Sequence, residues 1–208
     1  MINKTLSIPL ALLLAAIVAI LGYLGYAASQ KRTQQRQVVE VVRDTTDKLR
    51  KALRAHPEPE IVTALEANLQ AAKAPRDPAL ADAAEHYIIG AREIVRRRVE
   101  IERLERDVAA SRQALAGHMA HASSRNSAWL RDAVALKKRV EDEYFSLGLK
   151  FKALDDILFS MPEAEKRLEG HVARELLVPL AETETARKQV QAEAQRAAAQ
   201  LERVRQLR

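Results

Sequence analysis

An apolar repeat between Leu130 and Met161 is the strongest constraint on how this chain folds. Ten positions follow alternating spacings of three and four residues, and only Lys137 among them is polar. This spacing is typical of an α-helix that buries one face against other helices. The predicted core seam comprises Leu130, Val140, Tyr144, Leu147, Phe151, Leu154 and Leu158. We expect this helix to lie at the centre of a bundle.

The amino-acid composition extends the same prediction to the rest of the chain. Among 208 residues there are only six glycines and seven prolines, while 30% of residues are charged and 4% aromatic. Such a mixture is typical of long helices and coiled coils. The sequence therefore predicts an all-α fold, in which an N-terminal transmembrane helix continues into an elongated antiparallel helical bundle or coiled coil.

Prolines and capping residues suggest where the helices begin and end. Pro57 and Pro59 end the first long helix, and Asp77 before Pro78 is a helix start signal. A polar cluster at 123–127 favours a reversal, and the Ser-x-x-Glu pattern from Ser160 predicts another helix start. The predicted divisions are an anchor at 1–28, a basic juxtamembrane helix at 29–56, a short helix with proline-rich turns at 57–77, and a bundle at 78–208 with helices at about 78–122, 127–160 and 161–208. Pro179 is expected to kink or split the last helix.

The stretch from Leu6 to Ala28 has 23 residues and no charge. A helix of this length is about 35 Å long, which exceeds a hydrocarbon core of roughly 30 Å. Leu14 lies near its middle, and Tyr23 and Tyr26 lie near its end, where aromatic rings favour the headgroup region. The stretch is therefore predicted to be a transmembrane anchor.

Two questions about this anchor stay open in the sequence. Small residues from Ala27 to Ser29 would also suit cleavage of a secretory signal peptide, although the apolar run is longer than such peptides usually have. By the positive-inside rule, the basic residues that follow would place most of the chain in the cytoplasm. The short start with its lysine instead resembles a signal anchor that exports the rest of the chain. The prediction is a single-pass protein of a bacterial-type inner membrane, with a periplasmic bulk slightly favoured.

Positive charge is concentrated directly after the apolar stretch. Residues 29–56 carry eight Lys or Arg against three acids, whereas the whole chain has a net charge of +6. Lys31, Arg32 and Arg36 are predicted to contact lipid headgroups. Nucleic acid is excluded as a partner, because the triplet Arg96–Arg98 is interspersed with glutamates and forms no face of one sign.

The sequence contains no motif that is typical of a catalytic site. There is no cysteine, no glycine-rich phosphate loop and no catalytic motif of the hydrolase or zinc-protease type. His118 and His121 have a spacing that could supply two metal ligands, but no second pair of ligands accompanies them. The chain is therefore predicted to be non-enzymatic, without a cofactor and without an assigned metal site.

These features favour a single-pass membrane protein that acts as a helical scaffold, tether or assembly factor. Its predicted partners are the lipid bilayer and other proteins that dock on helical surfaces, a second copy of the chain among them. One alternative is a sensory module, because the architecture resembles the ligand-binding bundles of bacterial chemoreceptors and histidine kinases, although no motif is shared. Another is a phage lysis tether of the inner membrane, which it also resembles in combining an anchor with a coiled coil.

Overall fold

The computed structural model describes residues 7–55, 57–73, 77–120 and 126–206, with the side chains at 7–18, 25, 27 and 31 outside that description. The elements are α1 (Ser7–Arg54), α2 (Glu60–Ala72), α3 (Pro78–Ala120), α4 (Ser127–Glu169), a 3-10 turn (Arg174–Leu176) and α5 (Leu180–Gln206). No strand occurs in these ranges. The predicted all-α helical bundle is confirmed.

Helices α3 and α4 form a long antiparallel hairpin. Each has 43 residues, which is about 65 Å at the standard helical rise. Lys150 Nζ lies 2.6 Å from Glu100 Oε2 near the middle of the pair, and Ser111 Oγ donates to Glu143 Oε1 at 2.9 Å farther along. The two helices therefore stay in contact from the base of the bundle to the hairpin tip.

Helix α5 is shorter and packs along α4 in the antiparallel direction. Arg187 Nε donates to Asp155 Oδ1 at 3.0 Å near the start of α5, and Lys137 Nζ donates to the Arg205 carbonyl at 3.0 Å near its end. The 27 residues of α5 therefore reach only as far as Lys137. Beyond this point the α3–α4 hairpin continues without a third helix among the described residues.

The other end of the bundle is closed by α1 and α2, which pack against the first half of α3. The short helix α2 buries the four positions that keep helical spacing, Ile61, Leu65, Leu69 and Ala72. The second half of α1 buries Val38, Val42, Leu49 and Ala52 in the same core. This end therefore brings α1, α2, α3, α4 and the start of α5 together, whereas α3 and α4 alone are described at the hairpin tip.

A polar junction is buried inside this thick end. The hydroxyls of Thr46 and Tyr87 are 2.7 Å apart and join α1 to α3. Burial raises the pKa of Tyr87 well above its ordinary value, against the opposing effect of its bond to Thr46. Arg174 Nη1 donates to Glu165 Oε2 at 2.9 Å and ties the connection before α5 to α4.

The helix boundary predicted near residue 160 differs in the structure. Helix α4 continues through Pro162 to Glu169, and α5 begins at Leu180, directly after Pro179. Pro162 removes one backbone hydrogen bond. However, Leu158, Met161, Glu165 and Leu168 remain on one buried face, so packing on both sides of the proline keeps the helix continuous.

The predicted membrane localisation is wrong. Across the described residues, no helix has an apolar window that is long enough to cross a bilayer. The helix also continues without interruption into the charged segment that packs on α3.

The residues proposed for membrane contact are placed as follows. Tyr23, Tyr26 and Ala28 are exposed on α1, as are Arg32 and Arg36. Leu6 lies outside the described residues, and α1 contains Leu14 and Lys31, whose side chains are not described. The prediction that the basic residues contact lipid headgroups depended on a membrane anchor, so it is not proposed further.

Candidate interaction site at the tip of the helical hairpin

A clasp between His118 and Trp129 holds the tip of the α3–α4 hairpin together. The two rings stack with centroids 5.1 Å apart and planes inclined by 15°. His118 Nε2 donates to the Trp129 carbonyl at 2.9 Å, and Trp129 Nε1 donates to the His118 carbonyl at 3.3 Å. The side chain of Asn126 caps α4 by accepting from the Trp129 amide at 2.8 Å. These bonds fix the positions of the last turn of α3 and the first turn of α4.

The clasp also involves His118, which together with His121 was a weak candidate for a metal site. His118 uses Nε2 to donate to a backbone carbonyl, and His121 lies outside the described residues. No group of three His, Cys, Asp or Glu side chains suited to a metal ion occurs in the part of the chain that the structure describes. The position of His118 therefore accords with a packing role in the hairpin.

An apolar groove of about 330 Å³ opens between α3 and α4 beside this clasp. We call it the tip groove; its residues are Leu115, Met119, Trp129, Leu130, Ala133, Val134 and Lys137. Leu115 and Ala133 are buried, whereas Leu130 and Val134 are each 59% exposed and Met119 is 40% exposed. Large apolar side chains are thus presented to solvent on a fixed frame.

The tip groove continues the surface on which α5 packs. Farther down the hairpin, Val108 and Arg112 of α3 and Tyr144 of α4 line a groove with Ala197 of α5. Leu115 and Met119 lie seven residues after Val108 and Arg112, and Lys137 lies seven residues before Tyr144. Because a heptad returns to the same side of a coiled coil, the tip groove repeats the positions that contact α5.

The predicted core seam divides at the point where α5 ends. Val140, Tyr144, Leu147, Phe151, Leu154 and Leu158 are buried. Leu130 differs from the prediction because it is exposed, although it keeps the same spacing. Periodicity identifies the face that can be covered, and the described part of α5 covers it only as far as Lys137.

Charged residues of α4 lie close to the tip groove. Lys137 lines the groove, donates to the Arg205 carbonyl at 3.0 Å and lies 3.9 Å from Glu141. Arg131 lies three residues before Val134, whereas Lys138 lines a different groove with Asp142 and Glu143. Asp132 is two residues from both Leu130 and Val134 and so points to a different side of the helix.

A second group of exposed apolar side chains lies on the outer face of α4. Phe145, Leu149 and Phe159 are all more than half exposed. The Arg187 guanidinium covers the Phe159 ring, with its carbon 4.8 Å from the ring centroid. Phe145 and Leu149 lie outside the tip groove. Exposed apolar residues on one flat helix face are common in proteins, so the tip groove is the stronger candidate.

No family model, curated protein or solved structure matches this chain. Its function therefore has to be inferred from the geometry of its own residues. Sequence reasoning identified His118 and Leu130 individually but missed the tip groove and the role of Trp129. The signal available was the seam of α4, which continues past the last residue that α5 can cover.

Proposed function

We propose that this chain is a non-enzymatic helical scaffold that binds other proteins, and that the tip groove is its docking site. The observation that carries the proposal is the exposure of Leu130, Val134 and Met119 in a groove that continues the packing surface of α5. Contiguous exposed apolar residues rimmed by polar groups mark interaction sites in soluble proteins. A groove between two helices suits partners that dock through a helix.

The rest of the fold supports this role by holding the groove in one shape. The His118–Trp129 clasp fixes one end, and Lys137 ties the other end to α5. A pre-organised surface loses less conformational entropy on binding than a flexible one. The hairpin also places the tip groove tens of ångströms away from the α1–α2 end, at about 1.5 Å per helical residue. A scaffold could therefore bind one protein at its tip and present it at a distance.

Site-specific photocrosslinking in cells tests this proposal. A photoreactive phenylalanine at Val134 would lie on the exposed edge of the tip groove, and the same residue at Glu184, an exposed polar position on α5, is the matched control. We expect discrete crosslinked products from Val134 and none from Glu184. If neither position forms a product, or if both form the same products, docking at the tip groove is contradicted.

The sequence also suggested two other functions, a sensory module and a lysis tether. The sensory module stays a prediction, because no feature of the described residues favours it. The lysis tether depended on an inner-membrane anchor and is not proposed.

A further inference from the structure

We propose that the outer face of α4 binds the same face of a second copy of this chain, with the two α4 helices antiparallel. This inference goes beyond the proposed function, because the central residues of this face, Phe145 and Leu149, lie outside the tip groove. It is carried by the order of charged and apolar residues along the face, which becomes complementary to itself when one copy is reversed.

The outer face of α4 is exposed to solvent along most of the helix. Ten exposed residues follow one another at spacings of three and four, which places them on one side of the helix. We call them the α4 stripe; they are Arg131, Val134, Lys138, Asp142, Phe145, Leu149, Lys152, Asp156, Phe159 and Glu163. The stripe is about 48 Å long at the standard rise. The seam that α3 and α5 cover lies on the other side of α4, where Val140, Leu147 and Leu154 are buried.

Two large apolar side chains lie at the middle of the α4 stripe. Phe145 is 56% exposed and Leu149 is 54% exposed, and they are four residues apart. A two-fold axis at the level of Leu147 places Phe145 of each copy opposite Leu149 of the other, since both are two residues from the axis. The contact therefore removes both apolar side chains of each copy from water, which favours association.

The same axis brings opposite charges together on both sides of this apolar centre. The charged residues of the α4 stripe form pairs of opposite sign at equal distances before and after Leu147. The pairs are Asp142 with Lys152, Lys138 with Asp156, and Arg131 with Glu163, at five, nine and sixteen residues from Leu147. Each pair occurs twice in the dimer, because the axis relates the two copies. Charges that flank an apolar seam in this way set the orientation of paired helices.

These six charged side chains are not used for ion pairs inside the chain. Within the ranges that the structure describes, none of them lies beside a side chain of opposite charge, whereas Lys137, Arg139 and Asp155 of the same helix each pair within the chain. The charges of the α4 stripe are therefore available to a second copy.

Other arrangements of two α4 helices bring like charges together. In a parallel pair in register, each charge lies beside its own copy. An antiparallel pair centred on Phe145 places Lys138 opposite Lys152, and one centred a turn later places Asp142 opposite Asp156. Like charges in contact oppose association. The α4 stripe thus specifies both the direction and the register of the pair.

Sedimentation velocity of the full chain over a range of concentrations tests the inference. We expect a reversible equilibrium between monomer and dimer, which shifts towards monomer as salt is raised. Phe145→Gln should weaken the dimer by about tenfold or more, because it removes half of the apolar centre. Leu130→Gln, a change at a similarly exposed residue of the tip groove, should leave the dimer unchanged. Both positions are exposed, so the variants should fold.

Reversal of single charges tests the direction and the register of the pair. Asp142→Lys places lysines opposite each other, and Lys152→Asp places aspartates opposite each other. Each variant alone should therefore stay monomeric at concentrations at which the unchanged chain forms dimers. An equimolar mixture of the two variants should form dimers again, because every contact between positions 142 and 152 then joins a lysine to an aspartate. The control is Lys188→Asp, at an exposed position of α5, which should leave the dimer unchanged.

Three results would overturn the inference. The first is a chain that stays monomeric at every concentration, including the case in which the α4 stripe binds a different protein. The second is a dimer that persists in Asp142→Lys and Lys152→Asp, or that the mixture of these variants does not restore. The third is a dimer that Leu130→Gln abolishes and Phe145→Gln does not, which would place self-association in the tip groove.

Discussion

Glu165 is a buried carboxylate with an incomplete set of partners. It is 1% exposed, and its Oε1 atom has no hydrogen-bond partner although Oε2 accepts from Arg174. Burial raises the pKa of Glu165, against the opposing effect of the Arg174 guanidinium, and the nearby Glu169 raises it further. The ionised form is therefore less favourable in the folded protein than in the unfolded chain.

The raised pKa of Glu165 gives folding stability a defined pH dependence. Stability from this residue is fully present below its ordinary pKa of 4.5 and is lost as pH rises through the higher pKa of the folded state. Glu165→Gln cannot ionise, so we expect the free energy of unfolding to vary less with pH above 4.5 in this variant. Urea denaturation across that pH range measures the difference. Glu163→Gln, an exposed change two residues away, is the control, and an equal effect of both changes would contradict the assignment.

The hydrogen bond between Thr46 and Tyr87 makes a second prediction possible. Tyr87→Phe leaves the buried Thr46 hydroxyl without this partner and should lower the free energy of unfolding by about 1–3 kcal/mol. Adding Thr46→Val removes the orphaned hydroxyl, so the double variant should lose less than the sum of the two single losses. A double-mutant cycle in urea measures this coupling. Additive losses would show that the 2.7 Å contact does not join α1 to α3 energetically.

Two glycines test how closely α3 and α4 pack. A Cβ at Gly90 would lie 2.9 Å from Met161 Sδ, whereas a Cβ at Gly148 would meet nothing within 4 Å. Alanine is better than glycine in a helix by about 1 kcal/mol, so Gly148→Ala should raise the free energy of unfolding. Gly90→Ala should raise it less or lower it, because the buried end of the Met161 side chain has to move to make room for the new methyl group. Equal gains from both changes, measured by chemical denaturation, would contradict this close approach.

Core packing in α4 gives a further prediction. Leu154 is fully buried on the seam between α3 and α5. Leu154→Ala should lower the free energy of unfolding by about 2–5 kcal/mol, because it removes buried methyl groups and leaves a cavity. Leu149→Ala on the exposed face of the same helix should have a much smaller effect. Comparable losses in thermal and urea unfolding would contradict the central position of α4.

The helices differ in how much of them the sequence could predict. In α4 the spacing of apolar residues identified the face that the structure buries, from Val140 to Leu158, since burial on one side follows from helical periodicity. The end of α4 was not predictable from Pro162, because a proline costs one hydrogen bond while tertiary packing on both sides of it supplies more. The polar partners of Glu165 and Tyr87 come from distant parts of the chain and have no local signal.

The tip groove depends on the relative lengths and register of three helices. Helix α5 places Arg187 beside Asp155 and Arg205 beside Lys137, a register that is set by the connection after Glu169. A sequence pattern cannot specify this register, which explains why Leu130 was assigned to the core. Likewise, an apolar stretch near the N-terminus indicated a membrane span, but the described residues contain no helix that could form one.

Filling the tip groove with α5 itself is the most direct test of the account. The variant adds about ten helix-forming residues after Arg208, with leucines at the positions that continue the α5 seam from Leu201 and Val204. The control carries an extension of equal length with glutamines at those seam positions. The measurement is the yield of products that each chain forms in cells through a photoreactive phenylalanine at Val134. The account predicts that the leucine extension abolishes these crosslinked products while the glutamine extension preserves them. Unchanged crosslinking of the leucine-extended chain would contradict the claim that partners dock in the tip groove.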